Sequence, residues 1–173
     1  CFAIRQFYKK KYWLEKYVKY NFKENQFSLF DKIVKENKIK KELLKYSKYG
    51  VAEISSERMK IFKNLCSHIN KNRGIIITID YGYNKQLKNF SLQSVFRHKK
   101  THLFDNIGKQ DITSLVNFSE FISIASENNL KIDLYSSQKD FLIEYGISKR
   151  KNSLKKNQTL MKKKLIENQY KIL

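Results

Sequence analysis

The sequence has no proline and only five glycines, at positions 50, 74, 82, 108 and 146. No two of them fall at the spacing of a glycine-rich dinucleotide or phosphate loop. No Gly-x-Ser-x-Gly elbow is present either, so a nucleophilic serine of the hydrolase type is excluded. Nothing in the chain cradles a nucleotide by itself. Cysteine is scarce, with Cys1 and Cys66 only. Two cysteines make neither a disulfide framework nor a metal cluster, and a reducing compartment is expected. His98 and His102 are four apart, a metal spacing only on a helix. They fall in a predicted loop with Asp105 and Asp111 nearby, so no metal is expected. No apolar run approaches the roughly 18 residues of a membrane span, and no signal segment is visible. The expectation is a cytoplasmic protein.

Acidic residues are also few: 16 against 36 Lys and Arg, for a formal net charge of +20. Such a balance ordinarily points to nucleic acid or an anionic membrane surface. Only five of the basic residues are arginines, namely Arg5, Arg58, Arg73, Arg97 and Arg150. Sequence-reading sites lean on the arginine fork, so no specific nucleic-acid partner is expected. Abundant Lys, Asn, Ile, Tyr and Phe fit an AT-rich bacterial genome. The first residue is Cys rather than Met, as expected of a piece of a longer chain.

What is present centres on residues 74–83, the one long uncharged apolar run. Ile75, Ile76, Ile77 and Ile79 are continuous rather than alternating, as in a parallel strand covered on both faces. The run ends in Asp80-Tyr81-Gly82-Tyr83, where Gly82 permits a sharp turn. Ligands of open α/β sheets sit beyond the carboxyl ends of strands, so Asp80 and Tyr81 are the first candidates for chemistry. A core strand with a plain turn is the competing reading.

From the start, residues 2–7 and 12–20 read as an antiparallel hairpin around Lys9-Lys10-Lys11, with a third strand at 27–30. Tyr12, Leu14, Val18 and Tyr20 are expected on one face, with Lys16 interrupting, and Trp13, Glu15, Tyr17 and Lys19 on the other. Phe and Tyr interleaved with Lys here could stack on bases. The hairpin explains them more cheaply, with lysine stems covering one side. Residues 32–49 are so rich in Lys that a solvated face or loop is expected over a weak helix. Residues 50–54 are extended. Ser55 then caps a helix with Met59, Phe62, Leu65, Cys66 and Ile69 on its apolar face, ending near Asn70. A short strand over 91–95 precedes a loop running to about Asp111. Asn117 and Glu120 resemble a capping box for a helix faced by Phe118, Phe121, Ile122 and Ala125. Residues 131–135 are the next strand. Ser137 and Asp140 open another helix, which Gly146 ends. Residues 153–173 form a last helix with Leu154, Met161, Leu165, Ile166 and Tyr170 as its stripe.

Several motifs occur in a fixed order. They are Ile4-Arg5-Gln6-Phe7, Glu53-Ile54-Ser55, the run ending in Asp80-Tyr81-Gly82-Tyr83, Ser91-Leu92-Gln93-Ser94-Val95, and His98-Lys99. Gly108-x-x-Asp111-x-Thr113-x-x-Val116-x-Phe118 and Phe141-Leu142 with Gly146-Ile147 follow. Together, over roughly residues 1–150, they resemble the MidA-type S-adenosylmethionine-dependent methyltransferases, which include the mitochondrial complex I assembly arginine methyltransferase. The resemblance implies an α/β fold: a partial Rossmann-like methyltransferase sheet with an inserted antiparallel hairpin. Residues 1–30 would hold the hairpin region, 50–150 the core strands and helices, and 151–173 a terminal helix. It also implies S-adenosylmethionine as cofactor, with the family's cofactor loop lying before residue 1 and a closing strand after residue 173.

On that reading the chain is a carboxyl-terminal portion that needs a missing amino-terminal half. Its implied protein substrate is an arginine of a respiratory complex I subunit. Asp80 would hold the guanidinium. Tyr81, Tyr83, Gln93, His98, Asp111 and Thr113 would shape the acceptor pocket. No cofactor-binding residue is identified in this chain. The sequence departs from the family pattern in Leu115-Val116-Asn117-Phe118, where His-Val-Asp-Phe is usual. It also has Ser56 in place of a proline and Arg97 in place of a glycine. A non-catalytic remnant and a basic nucleic-acid-binding module are the alternatives left open.

Overall fold

The computed structural model describes residues 2–156 and 158–169. The chain forms two compact units, one up to Lys131 and one from Ile132 onward.

Tyr, Trp, Phe and Val dominate the amino-terminal stretch, and aromatic or β-branched residues suit a pleated surface. They form β1 (Arg5–Lys9), β2 (Trp13–Asn21) and β3 (Gln26–Ile33). β4 (Val51–Ile54) completes an antiparallel sheet of order β3-β2-β1-β4. The predicted hairpin is therefore present, and the third strand is longer than expected. Asn25 takes the left-handed conformation at the β2–β3 turn, which Asn tolerates well (φ 52°).

The structure distinguishes the two faces of the hairpin. The side bearing Phe7, Trp13, Glu15 and Ala52 packs inward, while Tyr12 and Val18 are exposed. Glu15 tolerates burial because Arg5, across the strand pair, donates to both its carboxylate oxygens at 2.6 and 2.8 Å.

The lysine-rich stretch is also corrected. It folds as α1 (Asn37–Leu43), continued by a 3-10 turn at Leu44–Tyr46. Ile39, Leu43 and Tyr46 lie at i, i+4 and i+7 and enclose Phe7, Ala52 and Ile54. The three apolar positions sufficed; the lysines around them point to water.

α2 (Ser56–Asn72) follows β4 directly. Ser55 occupies the N-cap position, but its side chain makes no capping bond. Cys66 is fully buried against Ile124 and Ala125, with Met59, Phe62 and Ile76 packed alongside. Leu65, expected inside, is largely exposed.

Residues 74–80 depart most from expectation. They take no regular secondary structure and make no ladder with any described residue. Ile76 is half-buried on the α2 cluster, whereas Ile75, Ile77 and Ile79 are 81%, 80% and 77% exposed. One side of the segment is covered, not both.

Beyond it, β5 (Gly82–Tyr83) pairs in parallel with β9 (Val116–Asn117). Between them lies a three-stranded antiparallel sheet instead of a long loop. Its strands are β6 (Gln93–Phe96), β7 (Lys99–Thr101) and β8 (Asp111–Thr113), in the order β7-β6-β8. Arg97 and His98 both have positive φ, 48° and 63°, so the β6–β7 link is a left-handed two-residue turn.

α3 (Phe118–Glu127) is capped by Asn117, whose side chain accepts from Ser119 N. The predicted capping box is incomplete, because Glu120 instead accepts from the Tyr46 hydroxyl. Phe121 stacks flat on Phe62, with centroids 4.0 Å apart, and joins α3 to α2.

The strand expected over residues 131–135, which runs from Lys131 at the end of the first unit into the second, is not formed: these residues take no regular secondary structure and pair with no described strand. α4 (Gln138–Glu144) is capped by Ser137, which accepts from Asp140 N at 3.1 Å. Gly146 separates it from α5 (Ile147–Lys155) with φ 91°. The single terminal helix expected over 153–173 is instead divided between α5 and α6 (Leu160–Gln169). Residues 157 and 170–173 of that expectation lie outside the described residues. No helix among the described residues is long and apolar enough to cross a membrane.

Candidate functional site

The segment 74–80 delivers Asp80 to an exposed position just before β5. Its Oδ1 accepts from Tyr81 N at 2.7 Å, which fixes the carboxylate against its own backbone. Val116 N donates to Tyr81 O, so the end of the segment is tied to β9. At Gly82 an added Cβ would meet the Phe118 ring and the Val116 carbonyl oxygen. The close approach of β5 to β9 thus requires glycine here.

A cavity of about 250 Å³ opens beside the segment. Thr78, Asp80, Ser114 and Arg58 supply its polar wall; Phe62 and Phe121 supply part of an apolar one. Arg58 is buried, and its Nε has no hydrogen-bond partner.

Two further carboxylates near this region are committed elsewhere. Glu53, on β4, is 2% exposed. It accepts from Gln6 Nε2 at 2.7 Å, Ser91 N at 3.1 Å, Leu92 N at 3.2 Å and the Ser91 hydroxyl. Ser91 Oγ in turn accepts from Leu115 N at 3.0 Å. One buried carboxylate therefore holds β1, β4 and the connection leading to β6, and through Ser91 the segment before β9. Glu120, on α3, is pushed above the usual carboxylate range by burial, partly offset by the Tyr46 hydrogen bond and the charges of Lys45 and Arg58. Burial, then the Glu120 charge, raises the phenols of Tyr46 and Tyr83 well above their ordinary values. Both stay neutral at physiological pH. Cys66 is likewise raised by burial and behaves as a core thiol.

The predicted site residues are distributed as follows. Asp80 and Tyr81 are exposed beside the cavity, and Tyr83 is half-buried toward Glu120. Gln93 and Thr113 are register partners on β6 and β8, and Asp111 opposes Val95 on the same pair. His98 sits at the exposed β6–β7 turn. The structure brings Gln93 and Thr113 together and Asp80 beside Tyr81; it does not collect all seven around one cavity. Sequence reading missed Arg58 as an interior residue. Its signal was visible: position 58 precedes Phe62 and Cys66 by four and eight, on the apolar face of α2. Glu53 was noted within a motif, but not as a hub.

The model of a family described as "Putative S-adenosyl-L-methionine-dependent methyltransferase" matches residues 1–136. The chain belongs to that family. Two crystal structures from Burkholderia thailandensis share its fold. One, solved in native form, has a TM-score of 0.72 and 22% identity, over 87% of this chain and 42% of that one. The other, bound to S-adenosyl-homocysteine, has a TM-score of 0.70 and 21% identity, over 87% of this chain and 41% of that one. The fold class is therefore the α/β methyltransferase fold carrying an antiparallel insertion.

Among curated proteins, one component of the ATP-dependent helicase/deoxyribonuclease of two Thermoanaerobacter strains is 36% identical over 92 residues. That match takes in 46% of this chain and 8% of the relative. The chain thus spans less than half of each solved relative and a small part of the curated ones.

The family's description names S-adenosyl-L-methionine as its cofactor. Pockets that enclose a ligand of comparable size run to about 300–1,000 Å³. The cavity falls below that range, and no glycine-lined backbone faces it.

Proposed function

We propose that this chain supplies the acceptor side of a MidA-type methyltransferase directed at protein arginine. In this reading the cofactor is held by polypeptide beyond these 173 residues, and the chain alone transfers no methyl group. The observation that carries the reading is the contrast among three carboxylates. Glu53 is buried with four donors, and Glu120 is half-buried and accepts from the Tyr46 hydroxyl. Asp80 alone of the three is open to solvent, beside a cavity and at the end of the segment 74–80.

A carboxylate in that position suits a guanidinium, which binds through paired charge-assisted hydrogen bonds. The Tyr81 amide fixes one oxygen and leaves lone pairs on both for an incoming arginine. Tyr81, Tyr83, Gln93, His98, Asp111 and Thr113 remain the proposed acceptor-side residues. An arginine of a respiratory complex I subunit is the substrate that the resemblance favours.

Two measurements test this reading. Calorimetry of the 173-residue chain with S-adenosylmethionine should show no binding; micromolar binding would overturn the division of labour. In the completed enzyme, Asp80→Asn should lower methyl transfer to arginine peptides by about a hundredfold or more while leaving cofactor affinity unchanged. Unchanged transfer would remove Asp80 from the acceptor site.

A further inference from the structure

Arg58, on α2, is the only buried cation among the described residues. Its Nε has no hydrogen-bond partner, and none of the ion pairs among the described residues includes it. The buried carboxylates are matched: Glu15 is met by Arg5, and Glu53 by four donors. Glu120 is close enough for its charge to interact with that of Arg58, but its hydrogen bond comes from Tyr46. Taking a guanidinium out of water without matching it is strongly unfavourable, so a well-placed anion would be held firmly.

Arg58 lines the cavity of about 250 Å³ together with Phe62, Val116 and Phe121, and apolar walls strengthen a charge pair formed inside. The same cavity carries Asp80, which is exposed. A simple anion would be drawn to Arg58 and repelled by Asp80, whereas a ligand bearing both signs satisfies both. The cavity is smaller than pockets that enclose a drug-sized molecule, so it suits side chains entering from outside. We infer that Arg58 selects the acceptor sequence, by receiving the carboxylate of an Asp or Glu placed two residues from the arginine that Asp80 holds. This rests on the proposed function, because it narrows the substrate of that same site. Side chains two apart in an extended segment leave the same face, about 6–7 Å from each other, so both can enter one cavity. The chain's charge of +20 favours such acidic segments over neutral ones.

The test titrates the 173-residue chain with a capped Gly-Asp-Ser-Arg-Ser-Asp-Gly peptide, a counterpart with Asn for both Asp, and a counterpart with citrulline for the arginine. Binding is read by calorimetry at high salt, where screening removes the general pull of the surface lysines. The acidic peptide should bind about tenfold or more tightly than the Asn peptide. Arg58→Met should abolish that preference, and Arg58→Lys, which keeps the charge, should retain part of it. The thermal midpoint of Arg58→Met should be no lower than that of the unaltered chain, because an unmatched buried charge is exchanged for an apolar side chain.

Equal binding of the acidic and Asn peptides, a preference that survives Arg58→Met, or no binding by any of the three would each overturn the inference. So would a marked fall in the Arg58→Met midpoint, which would show that Arg58 is already matched within the chain. A preference for the acidic peptide with no loss on citrulline substitution or in Asp80→Asn would support the role of Arg58 while defeating the one proposed for Asp80. Loss in both of those, with no acidic preference, would overturn this inference and leave the proposed function standing.

Discussion

The β1–β4 sheet and the segment 74–80 hold similar apolar side chains under opposite conditions. In the sheet, Phe7 is wholly enclosed by Ile39, Leu43, Tyr46, Ala52 and Ile54, although the surrounding sequence is heavily charged. In residues 74–80, four isoleucines sit in an uncharged run, yet three of them face water. Apolar character makes burial favourable, but a neighbour must be present to exclude the water. The sheet makes its own neighbours by folding α1 back onto itself. The isoleucine run finds only α2 and α3, which cover one side.

The largest expected effect tests this contrast directly. Phe7→Ala should cost about 3–5 kcal/mol of stability, through lost transfer energy and the cavity left behind. Ile77→Ala in the isolated chain should change stability by no more than about 0.5 kcal/mol, as at an ordinary surface position. Urea denaturation of both variants reads the difference, and the contrast collapses should Ile77→Ala cost as much as Phe7→Ala.

The next effect concerns the join between the two regions. Glu53→Met keeps much of the side-chain volume but removes both oxygens, which accept from Gln6, Ser91 and Leu92. Leaving buried donors unsatisfied should cost about 2–3 kcal/mol. Restoration of stability by Gln6→Leu in the same background would show that Gln6 carries most of that loss. Gly82→Ala should follow at about 1–3 kcal/mol, because the added methyl collides with Phe118 and with the Val116 carbonyl. An unchanged denaturation midpoint for Gly82→Ala would mean that β5 and β9 are not held as closely as the parallel pairing requires.

What the sequence disclosed follows the same contrast. The hairpin strands were legible because their aromatic and β-branched residues and the polar break between them are local signals. The caps at Asn117 and Ser137 were legible for the same reason. α1 was not, since its three inward positions are diluted by lysines whose stems need no burial. Which face of β2 turns inward was not legible, because Glu15 looks like a surface residue until Arg5 is brought beside it across the strand pair. The run at 74–80 was legible as an apolar segment leading to Asp80, but not as the unpaired stretch it is among the described residues. Its covering was not, because burial of a strand depends on elements that a local pattern does not specify. At the candidate site, Asp80 was found from its place at the end of an apolar run. Arg58 was hidden by its charge, and the hub role of Glu53 by the long sequence separation from Ser91. Glu120 was read as a cap because its real partner, Tyr46, is 74 residues away.

The smallest expected effect compares one carboxylate from each region. Burial alone would raise Glu15, but the hydrogen bonds from Arg5 and Tyr17 outweigh it and hold the carboxyl below its ordinary value. Its contribution to stability is present above the usual carboxylate value of about 4.3 and is lost as pH falls through the lower folded value. Glu120 behaves in the opposite sense. Burial raises it, so its contribution is fully present below about 4.3 and is lost as pH rises through its folded value. Acidification from neutrality should therefore first raise the melting temperature through Glu120, then lower it through Glu15 below about pH 4. Because the two act in different windows, Glu120→Gln should abolish the rise and leave the fall, whereas Glu15→Gln should keep the rise and lessen the fall, part of which Asp31, held below its ordinary value by the Tyr8 hydroxyl, still supplies. Thermal melts at pH 7, 5 and 3 separate the cases. A Glu120→Gln melting profile that still rises on acidification would mean that another carboxyl, not the one held by Tyr46, carries the strain beside the candidate site.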